Sequence, residues 1–190
     1  MKNIAIFASG NGTNAENIIQ FFNDGSHNAK VNLVICNREG AGVIERTARL
    51  GVDCIVLSKA QINDPDIILP LLDKYNTDLI ILAGFLLLVP GFLVDRYENR
   101  IVNIHPALLP NYGGKGMYGH HVHEAVVAAR EKETGITIHY VNGQYDSGDT
   151  IFQAKVALTP DDTVEDVEAK IHVLEQAHFP QVIFDTFFKD

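Results

Sequence analysis

An amide and an imidazole stand two residues apart in the segment Asn103-Ile104-His105-Pro106-Ala107-Leu108-Leu109-Pro110. On a β-strand that spacing points both side chains to one face. Pro106 cannot continue a central strand, so the pair belongs at a strand's carboxyl end, where open α/β sheets place their ligands. Two donors converging there suit a developing oxyanion. An isolated Asn and His at a strand end would be structural, but the shared face and the bracketing prolines favour chemistry. A carboxylate follows in Gly135-Ile-Thr137-Ile-His139-Tyr-Val-Asn142-Gly143-Gln144-Tyr145-Asp146. Beside an imidazole, Asp146 would raise the histidine pKa and fix its tautomer and orientation. It suits equally a turn in which it bonds its own backbone.

The loop Ser9-Gly10-Asn11-Gly12-Thr13-Asn14 is a candidate anion site. Its glycines allow a tight turn after a first strand, and free amides at the following helix start attract an oxyanion. The fragment also fits the loose dinucleotide pattern G-x-G-x-x-A. However, the second strand ends in Cys36-Asn37-Arg38, without the acidic residue that holds a cofactor ribose. A phosphate monoester fits better than NAD, and a tight turn that binds nothing is the plain alternative. The cluster His120-His121-x-His123 invites a metal reading. Neighbouring histidines on a helix diverge by about 100°, and neither an HExxH spacing nor a third ligand is identifiable. No metal is expected.

These groups need a frame. Short apolar runs at 3–7, 31–36, 54–57, 79–83 and 101–104 read as strands buried on both faces. Amphipathic stretches at 14–23, 41–50, 65–75 and 92–97 separate them. The alternation predicts a doubly wound, mostly parallel α/β sheet. After residue 105 come a Gly/Pro-rich segment at 106–119, a helix at 120–132, and strands at 135–141 and 150–158. The last two are expected to add to the sheet edge in antiparallel fashion. Asp162-Thr163 caps a final helix at 164–179. Neither repeat nor linker is visible, so a single domain over 1–190 is expected.

Composition narrows the function classes. The 190 residues are 46% hydrophobic and 21% charged, with a net charge of -9. An acidic globular chain repels nucleic-acid backbones and anionic bilayers, so neither nucleic acid nor membrane is an expected partner. Gly84 and Pro90-Gly91 interrupt the most apolar stretch, which reads as strand plus turn. Cys36 and Cys54 read as reduced thiols. A cytoplasmic protein acting on small molecules is expected, with the oligomeric state left open.

The motifs together resemble the phosphoribosylglycinamide (GAR) formyltransferases, folate-dependent enzymes of purine synthesis. The matching pieces are Ser9-Gly10-Asn11-Gly12-Thr13-Asn14, Leu82-Ala83-Gly84-Phe85, the Asn103 to Pro110 segment, Gly135-x-Thr137-x-His139-x-Val141, Asp146-x-Gly148 and Glu175-Gln-Ala177-His-Phe179-Pro180. They occur in family order along nearly the whole chain. The resemblance implies a Rossmann-like formyltransferase fold and transfer of a formyl group from 10-formyltetrahydrofolate to the GAR amine. It assigns Gly12, Thr13 and Asn14 to the phosphate, and Glu175 with His172 to the ribose or glycinamide. Leu86, Leu87, Leu88 and Val89 would line the folate pocket with Asn142, Gly143, Gln144, Tyr145 and Asp146. Asn103, His105 and Asp146 would form the catalytic group, with Asn103 also touching the folate. In that scheme Asp146 keeps His105 protonated near neutral pH. The family often has an arginine where Leu86-Leu87-Leu88 stands, and its form of the 113–119 segment is shorter. Formyltetrahydrofolate hydrolysis, with water as acceptor, uses the same residue types and is the alternative.

Overall fold

The computed structural model describes residues 1–189. Seven strands form one sheet: β1 (Lys2–Ala8), β2 (Ala29–Cys36), β3 (Asp53–Val56), β4 (Leu79–Leu82), β5 (Ile101–His105), β6 (Glu133–Tyr140) and β7 (Thr150–Ala157). Their spatial order is β3-β2-β1-β4-β5-β6-β7. The first five are mutually parallel, and β6 and β7 join the edge antiparallel. The chain builds outward from β1 to β3, then returns to lay β4 on the other side of β1. That reversal opens a crevice at the carboxyl ends of β1 and β4, the usual ligand position in such sheets.

Among the described residues seven helices cover the two faces: α1 (Thr13–Phe22), α2 (Gly42–Leu50), α3 (Lys59–Ile62), α4 (Pro65–Lys74), α5 (Gly91–Arg96), α6 (His120–Ala128) and α7 (Val164–Phe187). Strand alternation sorts the core into two layers. Ile4, Ile6 and Ala8 of β1 pack with Ile18 and Phe22 of α1, Val122 and Val126 of α6, and Ile171 and Phe179 of α7. Ala5 and Phe7 pack on the opposite face with Ile62 of α3, Ile68 and Leu72 of α4, and Leu93 of α5. Each large side chain so buried contributes about 1.5–3 kcal/mol.

Three features depart from the sequence reading by more than two residues. The extra turn α3 sits where no helix was expected, closed by reciprocal bonds between Ser58 and Gln61. The helix expected over 120–132 ends at Ala128. The last helix runs on through Pro180 to Phe187 instead of stopping at 179. Pro180 has no N–H for the Gln176 carbonyl one turn earlier. The Asn17 side chain on α1 donates to that carbonyl at 3.1 Å, so the helix continues without an orphaned acceptor. No helix among the described residues is long and apolar enough to cross a membrane.

Candidate active site

The antiparallel register of β5 and β6 sets His139 opposite Asn103 and Thr137 opposite His105. His139 Nδ1 donates to the Tyr140 carbonyl at 2.8 Å, which leaves Nε2 as an acceptor for Asn103 Nδ2 at 3.1 Å. His139 thereby decides which end of the Asn103 amide is the nitrogen. The same Asn103 nitrogen lies 3.5 Å from Asp146 Oδ1. Thr137 Oγ1 donates to the Ala107 carbonyl at 2.7 Å and accepts the Leu109 N–H at 3.0 Å, pinning the chain just beyond His105. The Leu109-Pro110 bond within this turn is cis.

His105 is buried at the end of β5 with each ring nitrogen facing an oxygen. Nε2 donates to the Tyr112 carbonyl at 2.7 Å, and Nδ1 stands 3.5 Å from Asp146 Oδ1. The neutral ring therefore carries its proton on Nε2 and turns a lone pair toward the carboxylate. A second proton on Nδ1 makes that contact an ion pair. Burial lowers the His105 pKa, and the opposing pull of Asp146 and the Tyr112 carbonyl does not overcome it. This corrects the expectation that Asp146 holds the imidazole protonated near neutral pH. Desolvation outweighs a single anion at this depth.

Asp146 returns to the sheet because the 142–149 connection folds back on the end of β6. A Cβ at Gly148 would lie 1.7 Å from the Tyr140 carbonyl oxygen, so only glycine permits the approach. Asp146 itself adopts a left-handed φ of 51°, which Asp tolerates better than most residues. Burial raises its pKa, but the imidazoles of His139 and His105 in their charged forms, with the Gly114 N–H, which donates to Oδ2 at 3.1 Å, outweigh this and hold the carboxyl below its usual range.

These groups open on a cavity of about 930 Å³, within the usual size for small-molecule sites. At one end lie Asn11, Thr13 and Asn14, beside the start of α1, whose N-cap residue provides no side-chain bond. Gly12 does not line the cavity. Its φ of +82° turns the loop, and a Cβ there would meet Val43 at 2.6 Å. Asn14 donates to Glu175 Oε2 at 3.1 Å and accepts from Gln176 Nε2 at 3.3 Å, so α7 holds the first helix in place. Glu175 is raised in pKa by burial, against the pull of Asn14 and His172, whose Nδ1 lies 3.7 Å away.

Leu86, Leu87, Leu88 and Val89 form an apolar wall, with Gln144 and Tyr145 also lining the cavity. Asn142 and Gly143 do not line it. Asn142 Oδ1 accepts the Gln144 N–H at 2.9 Å and the Ser147 hydroxyl at 2.8 Å, and so shapes the loop. His120 and His121 are exposed near Glu124 and Glu168, while His123 is buried at the cavity edge. Among the described residues no three His, Cys, Asp or Glu side chains are grouped to hold a metal ion.

Sequence reasoning gave no role to His139, Asn11 or Lys115. His139 was legible as the partner of Thr137 on one face of the strand 133–140. Lys115, the one Lys or Arg lining the cavity among the described residues, lies in the 113–119 segment, which stood out in the sequence only for its length.

Comparison with known proteins places this geometry in context. A family model described as formyl transferase matches residues 2–183. The chloroplastic phosphoribosylglycinamide formyltransferase of Arabidopsis thaliana is 38% identical over 187 residues, covering 96% of this chain and 64% of that protein. The phosphoribosylglycinamide formyltransferase of Haemophilus influenzae is 34% identical, covering 96% of this chain and 86% of its own length. The chain thus spans less than two thirds of the plant relatives, 64% for Arabidopsis and 60% for Vigna unguiculata. The crystal structure of glycinamide ribonucleotide transformylase 1 from Geobacillus kaustophilus superposes with a TM-score of 0.87 at 38% identity, covering 96% of this chain and 97% of that one.

Proposed function

The chain belongs to the formyl transferase family, among its phosphoribosylglycinamide formyltransferases, and from that premise we propose that it transfers a formyl group from 10-formyltetrahydrofolate to the amine of GAR. The observation that carries the reading is the convergence of Asn103, His105 and Asp146 beside a cavity with an amide-rich anion end and an apolar wall. We assign the loop around Gly12, with Thr13 and Asn14, to the phosphate. Glu175 and His172 take the ribose and glycinamide, and the wall from Leu86 to Val89 takes the folate ring. The activity is proposed for one domain, since the Asn14–Glu175 bond joins the two ends of the chain at the site. The expected small-molecule partners and cytoplasmic setting belong to the same reading.

The amine attacks the formyl carbon, and negative charge grows on the formyl oxygen. Asn103 donates to that oxygen, a contribution of about 3–4 kcal/mol for a well-placed donor. Neutral His105 accepts the proton released as the attacking nitrogen bonds to carbon, directly or through one water. The resulting imidazolium is paired with Asp146 and lies beside the oxyanion. It returns the proton to the folate nitrogen as the bond from that nitrogen to carbon breaks. Burial keeps the ring neutral until the reaction supplies the charge, so the lowered His105 pKa suits this order of events. Holding both substrates in one cavity supplies the orientation.

The test is a spectrophotometric assay of folate product formed by the purified protein with GAR and 10-formyltetrahydrofolate. GAR-dependent turnover with formylated GAR as product is expected. Equal turnover without GAR would make the protein a hydrolase, and no turnover would reject both.

A further inference from the structure

The carboxyl ends of β1, β2 and β4 meet beneath the cavity, and one hydroxyl joins them. Ser9 follows β1 and is only 1% exposed, so it lies under the site without lining it. Its N–H donates to the Gly84 carbonyl at 3.1 Å. Its Oγ accepts the Leu86 N–H at 2.9 Å and donates to Asn37 Oδ1 at the end of β2. A serine hydroxyl has one proton to give and lone pairs to receive with, and both capacities are used here. Ser9 opens the anion loop, three residues ahead of the Gly12–Asn14 stretch assigned to the phosphate. The segment held through Leu86 is the apolar wall, where Leu86 and Leu88 remain 37% and 42% exposed. Both line the cavity, where a bound ring would cover them.

We propose that Ser9 is a positioning residue that fixes the distance between the anion loop and the apolar wall and so couples the binding of the two substrates. The ligand identities rest on the function proposed above. Order imposed on the loop by the phosphate passes through Ser9 to the backbone at Leu86, and the folate ring meets a wall already set. The coupling is reciprocal, as any linkage between two sites must be. Removing the hydroxyl leaves the Leu86 N–H without its acceptor, and the wall relaxes while the loop keeps its own bonds.

The test is calorimetric titration of wild type, Ser9→Ala and Ser9→Thr with GAR and with tetrahydrofolate, each alone and with the other saturating. In Ser9→Ala, tetrahydrofolate binding is expected to weaken about tenfold, as follows from losing a buried acceptor. GAR binding alone should change less than about threefold, and the mutual enhancement expected in wild type should disappear. Steady-state KM for the formyl donor should rise while kcat holds, and Ser9→Thr, which keeps the hydroxyl, should restore both. If Ser9→Ala does not fold, Asn37→Ala removes the hydroxyl's anchor and should show the same one-sided loss in smaller measure. Unchanged tetrahydrofolate affinity, or equal loss of both ligands, would overturn the proposal. Failure of wild type to bind either ligand would instead overturn the function on which it rests.

Discussion

Asp146→Asn is the most informative single change. It keeps the side chain's shape and an oxygen for the Gly114 N–H, removes the charge, and puts an amide donor where Oδ1 faced the His105 ring. With Nδ1 and Oδ1 3.5 Å apart, the attraction between imidazolium and carboxylate at an effective dielectric near 20 is about 5 kcal/mol. The neutral ring feels almost none of it. The loss therefore falls on the charged state formed during transfer, and kcat should drop by two to four decades. Asp146 also opposes the burial that lowers the His105 pKa. Without the anion the ring gives up its proton more readily still, so the acid limb of the rate profile moves to lower pH. The plateau rate and the pH of the limb thus fall together. Loss of fold would lower the rate without moving the limb, since a smaller active fraction only scales the profile. The assay is kcat and kcat/KM for formyl transfer from pH 5 to 9, wild type beside variant. A plateau within tenfold of wild type, or an unmoved limb, would refute the electrostatic pairing.

Asn103→Ala should lower kcat by about two to three decades with GAR affinity unchanged, because the lost donor acts only on the growing oxyanion. A rate within threefold, measured in the same assay, would remove Asn103 from the chemistry. Gly12→Ala forces a Cβ into Val43 at a φ of +82°. Such strain and overpacking cost about 2–4 kcal/mol, a fall in Tm of roughly 4–16 °C in a thermal melt. An unchanged Tm would mean that the loop rearranges freely. Burial lowers the pKa of both His105 and His123, so the unfolded chain binds more protons as pH falls below about 6.5. Their contribution to stability is full above that pH and lost as pH drops through the window toward the folded values, at up to about 1.4 kcal/mol per pH unit for each group. Glu175, raised above 4.5, acts in the opposite sense as pH rises through its own window. Melts should show Tm falling from pH 7 to 5 and falling less in His123→Leu; equal slopes would contradict the assignment to His123.

Most of the frame was legible because the physics that builds it is local. The apolar runs of β1, β2 and β4 carry β-branched and aliphatic residues without a polar break, and only a strand covered on both sides accepts them. The end of α7 was illegible for a reason visible in the contacts. Pro180 is a reliable stop signal only where the carbonyl a turn earlier has no other donor, and here Asn17, 159 residues away in sequence, supplies one. No periodicity within residues 164–187 encodes that contact. The turn at Lys59–Ile62 escaped because four residues are too few for a helical period to show.

The site divides in the same way. Asn103 and His105 were found through spacing on one strand, but the tuning of His105 depends on how deeply the sheet buries it, which no spacing states. Its partner across the ladder, His139, needed the β5–β6 register, and the same register explains why Asn103 is held nitrogen-first. Charge gives the sharpest contrast between sequence and fold. Asp146, Glu165, Glu168 and Glu175 line the cavity against Lys115 alone among the described residues, in a chain of net charge -9, although both proposed substrates are anions. In the proposed reading, side-chain charge is therefore not the main source of phosphate recognition. The amides at the start of α1, free of any side-chain cap, and the positive end of that helix are what the anion end of the cavity offers. That offer comes from the backbone, and it depends on Gly12 turning the loop and on α7 holding Asn14 in place.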